Sequence, residues 1–416
     1  MSVDMRFLYL IIDGLPTFRP DIAALWGKYL PNEGIISDVV TLRASKDGNN
    51  GQLWPSGKSL TTERRSNAMI NGIVDFLHDC VTLLLARRED YAAIQLRDKT
   101  FVGVVAFAVA KWKGLPFFYW MSFPYGPSLL QLSRTDTVRR NLPRRFYLWW
   151  RGAVGDWLLH TVVLPRADHV FVQSDRMSDD LASRGISRAR ITAVPMCIDP
   201  DRFPAILPLA PLANAPAGSR IIGYLGEASK ARKMEFLLAA VARARVEVPQ
   251  LFLVIVGDAI LPQEQAWLRS CIASSGLSEC CYVTGWVSPE TATATLAAAE
   301  VCLALMPPDP ILDSTTPTKL VEYLAMGRPV VANDHPDQTL VINASGAGLV
   351  APYTVAGYAA AIVQLLAMRD RHPAMAQQGR AYVLAKRAYP AMAARLAARY
   401  RQLLPRHQTI LPKNIL

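Results

Sequence analysis

Residues 316–334, TPTKLVEYLAMGRPVVAND, decide the fold. Thr316 reads as an N-cap, and Pro317 as the first helical residue, where a missing N–H costs nothing. Gly327 fits the position just past a helix end, and Pro329 blocks any continuation. Val330, Val331 and Ala332 then form a short apolar run, as in a buried parallel strand. Helix, tight turn and buried strand follow one another. Leu320, Val321, Leu324 and Ala325 make the face turned to the sheet. Lys319 and Glu322 remain, near a helix N-terminus whose N–H groups are unpaired and whose dipole is positive. Such an end accepts a phosphate. A carboxylate one turn further in can hold a sugar hydroxyl.

Working outward, strand-like runs alternate with helical patterns along the chain. The first series has strands at 7–13, 38–42, 91–97, 116–123, 169–174 and 190–195, with helices at 20–32, 65–87, 100–113 and 144–164. Residues 204–219, PAILPLAPLANAPAGS, are uncharged and rich in Pro and Ala, and read as a linker. The second series has strands at 220–226, 251–257, 281–285, 301–306 and 348–352 around the opening segment. Its helices fall at 232–246, 262–275, 289–299, 355–368 and 374–403. This alternation predicts two doubly wound parallel sheets in two lobes with a cleft between them. The expected division is 1–203, the linker 204–219, a second lobe at 220–390, and a C-terminal helix and basic tail at 391–416.

A chain of 416 residues with 51% hydrophobic and only 19% charged residues supports sizeable cores and excludes disorder. Net charge is +11 and unevenly spread. After Asp370 no acid occurs but nine Lys or Arg do, and 134–151 holds six Arg against one Asp. Phosphates, nucleic acid and anionic lipid are the partner classes this charge favours. The six cysteines match no metal template and read as buried thiols. No cleavable signal is evident, and FVGVVAFAVA (101–110) is too short to span a bilayer.

Strand 220–226 ends in Gly226, which lets a ligand approach the backbone at a strand's carboxyl end. Lys230, Arg232 and Lys233 follow at a helix start, where three cations gain nothing from the dipole unless an anion sits among them. Gly257 and Gly285 repeat the strand-then-glycine pattern and suggest a ligand rim. Asp199 and Asp201 lie in a loop and make a poor metal pair. The six His lack ligand spacing, and neither G-x-S-x-G nor a Walker motif occurs.

These residues together resemble the GT-B glycosyltransferases of family 4, retaining enzymes common in bacterial polysaccharide assembly. VFVQSDRMSDDLASRGISRARITAVPMCIDPDRF is similar to the segment that closes the family's N-terminal lobe. IIGYLGEASKARKMEFLLAAV, LFLVIVGDA, CYVTGWVSPE and PTKLVEYLAMGRPVVANDHPDQ resemble donor-lobe motifs. The resemblance implies an acceptor-binding first lobe and a second lobe that binds a nucleotide sugar. It implies Glu322 on the ribose hydroxyls and Arg232, with Lys230 or Lys233, on the diphosphate. Lys233, Ser122 and Arg19 join Arg232 as catalytic candidates. Gly226, Lys230, Gly257, Gly285, Ser314, Thr316, Thr318, Lys319 and Glu322 are the donor-binding candidates. No metal or other cofactor is expected. Ser314 stands where the family's motif has its first glutamate, with Asp313 beside it. Ser122 stands where many members have a histidine, Glu227 where an arginine is frequent, and DGLPTFRPD lacks the usual glycine pair.

The expected reaction is retaining transfer of a hexosyl group from a nucleotide diphosphate sugar to a lipid-linked saccharide in exopolysaccharide biosynthesis. The expected location is cytoplasmic, peripheral at the inner face of the membrane. A nucleotide-sugar epimerase of the same architecture and a catalytically silent assembly partner are the alternatives; nucleic-acid binding rests on charge alone and is not expected. The stretch 144–167 places Phe146, Trp149, Trp150, Ala153, Trp157 and Leu164 near one helical stripe flanked by Arg144, Arg145 and Arg151. That composition suits an element lying on an anionic membrane.

Overall fold

The computed structural model describes residues 4–17, 19–42, 54–63, 65–66, 68–135, 138, 140–205, 212 and 214–404. The chain divides into two compact units. One takes the chain up to Met196 and again from Tyr389; the other is Cys197–Ala388.

The first unit is built on seven parallel strands: β1 (Met5–Leu10), β2 (Ile35–Leu42), β3 (Ser59–Thr62), β4 (Ala93–Arg97), β5 (Phe117–Met121), β6 (His169–Val172) and β7 (Ile191–Ala193). Their order across the sheet is β3-β2-β1-β4-β5-β6-β7. In β1, Leu8 and Leu10 belong to an aliphatic layer with Val40, Ile94 and Leu96. Phe7 and Tyr9, on the other face, meet an aromatic layer. Tyr9 stacks on Trp26 at 4.2 Å, and Phe7 meets Tyr400 at 4.8 Å. Tyr400 comes from the last described helix, Tyr389–Leu403, and its hydroxyl donates to Gln95 Oε1 at 2.7 Å. That hydrogen bond satisfies the amide oxygen of a polar residue buried inside a strand, while Gln95 Nε2 has no hydrogen-bond partner among the described residues.

The second unit has six parallel strands: β8 (Arg220–Leu225), β9 (Leu251–Val256), β10 (Cys281–Val283), β11 (Val301–Ala304), β12 (Val330–Asn333) and β13 (Gly348–Ala351). The order is β10-β9-β8-β11-β12-β13. Each sheet therefore reverses its winding direction once, between β1 and β4 and between β8 and β11. A crevice opens at the carboxyl ends of strands at such a reversal.

Several local expectations change. The opening helix runs Thr318–Ala325, with Pro317 rather than Thr316 as N-cap. Proline's fixed φ of −67° suits either position, but its ψ of 125° is extended, so the helix begins one residue later. The single helix expected over 374–403 is two, His372–Lys386 and Tyr389–Leu403. Pro390 cannot continue a helix from before it, so the chain breaks and restarts. Helices Tyr125–Ser133, Asp175–Ser183 and Pro336–Ser345 and the short strand β3 add to the expected elements. Leu164 is fully buried, which removes it from the apolar stripe expected on 144–167. Part of the 204–219 segment and the tail after 404 lie outside the described residues.

Candidate active site

In the second unit three strands end in glycines. Gly226 follows β8 with φ 108°, Gly257 follows β9 with φ 131°, and Gly285 lies after β10 with φ 72°. A side chain at Gly257 would put its Cβ 2.3 Å from the Gly226 carbonyl oxygen, so these two backbones need glycine to approach. Thr284 fastens the third. Its hydroxyl accepts from the Gly257 N–H at 3.1 Å and donates to the Gly285 carbonyl at 2.7 Å. Gly226 and Gly257 line a cavity of about 200 Å³ with Glu322, Arg202, Trp286 and Met326.

Helix Thr318–Ala325 forms another wall. Leu320, Val321, Leu324 and Ala325 are buried, as is Tyr323 between them. The Tyr323 hydroxyl accepts from the Leu225 N–H at 2.7 Å, tying the helix to the end of β8. Glu322 opens into the cavity. Burial raises its carboxyl pKa, and the Arg202 and Lys319 cations act against that rise. Among the described residues its carboxylate has no hydrogen bond or ion pair, so its acceptor oxygens remain available to a ligand.

Lys319 lies over the ring of Tyr224 at 4.1 Å and donates to the Tyr224 hydroxyl at 2.6 Å. Burial, and next the Arg232 charge, lower its ammonium pKa to about 7, against the opposing pull of Glu322 and Glu227. A buried amine half-charged near neutrality gains a full charge when an anion arrives.

The three cations after Gly226 do not act as one cluster. Lys230 lies over the Trp267 ring at 5.5 Å. Lys233 holds a left-handed conformation, φ 54°, at the start of helix Met234–Glu247. They thus precede that helix rather than occupy its first turn. Arg232 reaches back, with Nε 3.8 Å from Glu227 Oε2. Glu227 thereby balances Arg232. Ser314 is buried and donates to the Ile311 carbonyl at 2.9 Å. It does not line the cavity, nor do Thr316 and Thr318. Gly285, Lys230, Arg232, Lys233 and Lys319 also lie outside its lining, Lys319 being close to Gly226.

Arg19 and Ser122 belong to the first unit, at the carboxyl ends of β1 and β5. Ser122 is buried. Both its N–H and its hydroxyl engage the Asp98 carboxylate, at 2.8 and 2.5 Å. Arg19 gives its Nε to Asp13 at 2.9 Å, and its Nη2 is 3.5 Å from the Tyr125 hydroxyl. Behind them Arg97 is wholly buried, 2.5 Å from Asp21 and 3.4 Å from Asp98. Asp98 itself has φ 56°. Arg97 and Asp98 are not among the candidates that the sequence offers, although two charges closing an apolar strand (AIQLRD) are a signal. Nor is Arg202, which sits in a loop far from Glu322 in the chain. Asp199 accepts from the Asp201 N–H at 3.2 Å, a turn-forming role. Among the described residues no group of three His, Cys, Asp or Glu could hold a metal ion.

Residues 25–202 match the family model described as Glycosyltransferase Family 4, and residues 219–368 match Glycosyl transferases group 1. No curated protein matches the sequence. Among solved structures, sucrose-phosphate synthase from Thermosynechococcus elongatus is similar at 19% identity and TM-score 0.69, covering 96% of this chain and 99% of that one. A glycosyltransferase from Rickettsia africae is similar at 14% identity and TM-score 0.69, covering 96% and 98%. HepE of Anabaena in complex with UDP and glucose follows at 15% and 0.65, covering 96% and 100%. The fold is the two-lobe α/β GT-B fold. With one matched model in each unit, the chain is a glycosyltransferase.

Proposed function

We propose that the second unit binds a nucleoside diphosphate sugar, and that the enzyme transfers its hexosyl group with retention to a lipid-linked saccharide in polysaccharide assembly. The observation that carries the donor reading is the glycine-rimmed cavity, with Glu322 in its wall and Arg232 and Lys319 beside it. HepE, solved with UDP-glucose, supports the same class of donor. Glu322 accepts hydrogen bonds from the ribose hydroxyls. The Gly226 and Gly257 backbones leave room for the donor to approach. As the glycosidic bond breaks, negative charge grows on the leaving diphosphate. Arg232 and the Lys319 ammonium stabilise it. Lys233 is a reserve cation, and Arg19 serves the acceptor side, whereas Ser122, buried and bonded to Asp98, is left without a substrate role. The reaction needs no metal, so a chelator leaves its rate unchanged. The lipid-linked acceptor places the enzyme at the inner face of the cytoplasmic membrane.

The test is calorimetric titration with UDP, GDP and ADP, followed by hydrolysis of the matching sugars without acceptor. Saturable binding of one nucleoside diphosphate and slow release from its sugar are expected. Absence of binding by all three would remove the donor reading. Retention is read from the anomeric configuration of the product by NMR; an inverted product would refute it.

A further inference from the structure

Helix Ala68–Leu85 in the first unit is amphipathic in the reverse sense. Ile70, Ile73, Leu77, Val81 and Leu84 are all exposed, at spacings of three and four that put them on one stripe. The polar residues turn inward. Asp79 and Asp75 hold the buried Lys99 ammonium at 2.6 and 3.0 Å. Asn71 is buried and exchanges two hydrogen bonds of 2.7 Å with the Arg65 backbone. A helix that merely covers a sheet directs its apolar side to the core and its charges to water.

The stripe has company. Helix Thr100–Lys113 packs beside it, and helix Leu142–Leu158 packs beside that. Trp112 on the former is 75% exposed, and Phe146 on the latter 65%. Lys113 donates to the Leu84 and Ala86 carbonyls, joining the first two helices at their ends. On these helices and just after the first of them, Arg87, Arg88, Lys111, Arg144, Arg145 and Arg151 are exposed, as are Glu89 and Asp90.

We infer that these three helices form a docking face for the surface of an anionic lipid bilayer, with helix Ala68–Leu85 as its principal apolar element. The cations select the occupant. Two copies of this face would bring arginine against arginine, whereas anionic headgroups complement them while the apolar stripe enters the acyl boundary. The helix lies on the bilayer and does not cross it, since Asp75 and Asp79 tie it to Lys99. Among the described residues no helix is long and apolar enough to span a membrane. The inference accords with a lipid-linked acceptor but rests on this surface alone.

Flotation of the full chain with phosphatidylcholine vesicles and with mixed phosphatidylcholine–phosphatidylglycerol vesicles tests it. Binding to the mixed vesicles only, weakened by salt, is expected. The double variant Leu77→Gln/Val81→Gln should bind at least about tenfold more weakly. Both sites are exposed, so its folding and nucleoside diphosphate binding should match the parent. Failure of the parent to float at low salt would overturn the inference. So would a variant that floats as well as the parent, or light scattering that finds a parent dimer the variant dissolves. Nucleotide binding in the same samples reports separately on the donor reading.

Discussion

The two sheets reverse their strand order in the same way but are furnished differently at the reversal. In the second unit β8 and β9 end in glycines whose backbones leave a cavity, with cations and one unpaired carboxylate at its edge. In the first unit β1 and β4 end in a packed charge cluster of Arg97, Asp21, Asp98 and Asp13. One arrangement is open. The other is packed and ion-paired within itself, and Arg19 is its partly exposed member. Among the described residues, however, Arg97 Nε and Nη2, Asp13 Oδ2 and Asp21 Oδ1 are buried there without a hydrogen-bond partner. The topology makes a crevice in both, but only the residues at strand ends decide what it receives.

The largest expected effect tests the closed cluster. Arg97→Ala leaves three carboxylates without their central cation, and breaking such a buried set costs about 3–5 kcal/mol. Denaturant unfolding followed by tryptophan fluorescence should show that loss through Trp26 and Trp120 of the first unit. Unchanged stability with lost turnover would mean that the cluster works on substrate rather than holding the unit together.

Next comes the open site. Arg232→Ala should lower kcat about a hundredfold, the usual loss for one donor aimed at developing charge. Lys230→Ala should change it less than about twofold, since Lys230 lies on Trp267 and a partly exposed cation–π contact is weak. Equal effects in steady-state assays would erase the distinction drawn between these neighbours.

Glu322→Gln should weaken nucleoside diphosphate binding about tenfold in calorimetry, because a charge-assisted hydrogen bond becomes a neutral one. Affinity equal to the parent's would remove the ribose role.

The smallest effect concerns pH. With the Lys319 ammonium near pKa 7 in the empty site, diphosphate binding must supply a proton above that pH. Affinity should fall by a few-fold up to about tenfold between pH 7 and 9, and the slope should flatten in Lys319→Met. Stability of the empty protein has the opposite sign. The unfolded lysine keeps its proton up to its ordinary value of 10.5. Its contribution to stability therefore rises from about pH 7 towards 10.5. A pH-independent affinity in the parent would show that Lys319 does not meet the phosphates.

Much of this was legible in the chain because the signals are local. The alternation of apolar runs with helical periods is set by backbone geometry a few residues at a time. So are the glycines after strands and the Gly-x-Pro stop at 327–329. From these followed two doubly wound sheets, Gly226 and Gly257 at a cavity and Glu322 in its wall, whereas Gly285 and Lys319 lie outside its lining. Tertiary packing alone decided the rest. Which of Lys230, Arg232 and Lys233 turns toward Glu227, and which lies on a tryptophan, depends on side-chain neighbours far apart in sequence. Arg202 enters the cavity wall only because the chain folds back, and Ser122 is closed off only because Asp98 arrives from another strand. The outward stripe of helix 68–85 has the same periodicity as an inward one. An amphipathic pattern defines two faces but not which one meets the core, and here that choice was made by Lys99 drawing Asp75 and Asp79 inward.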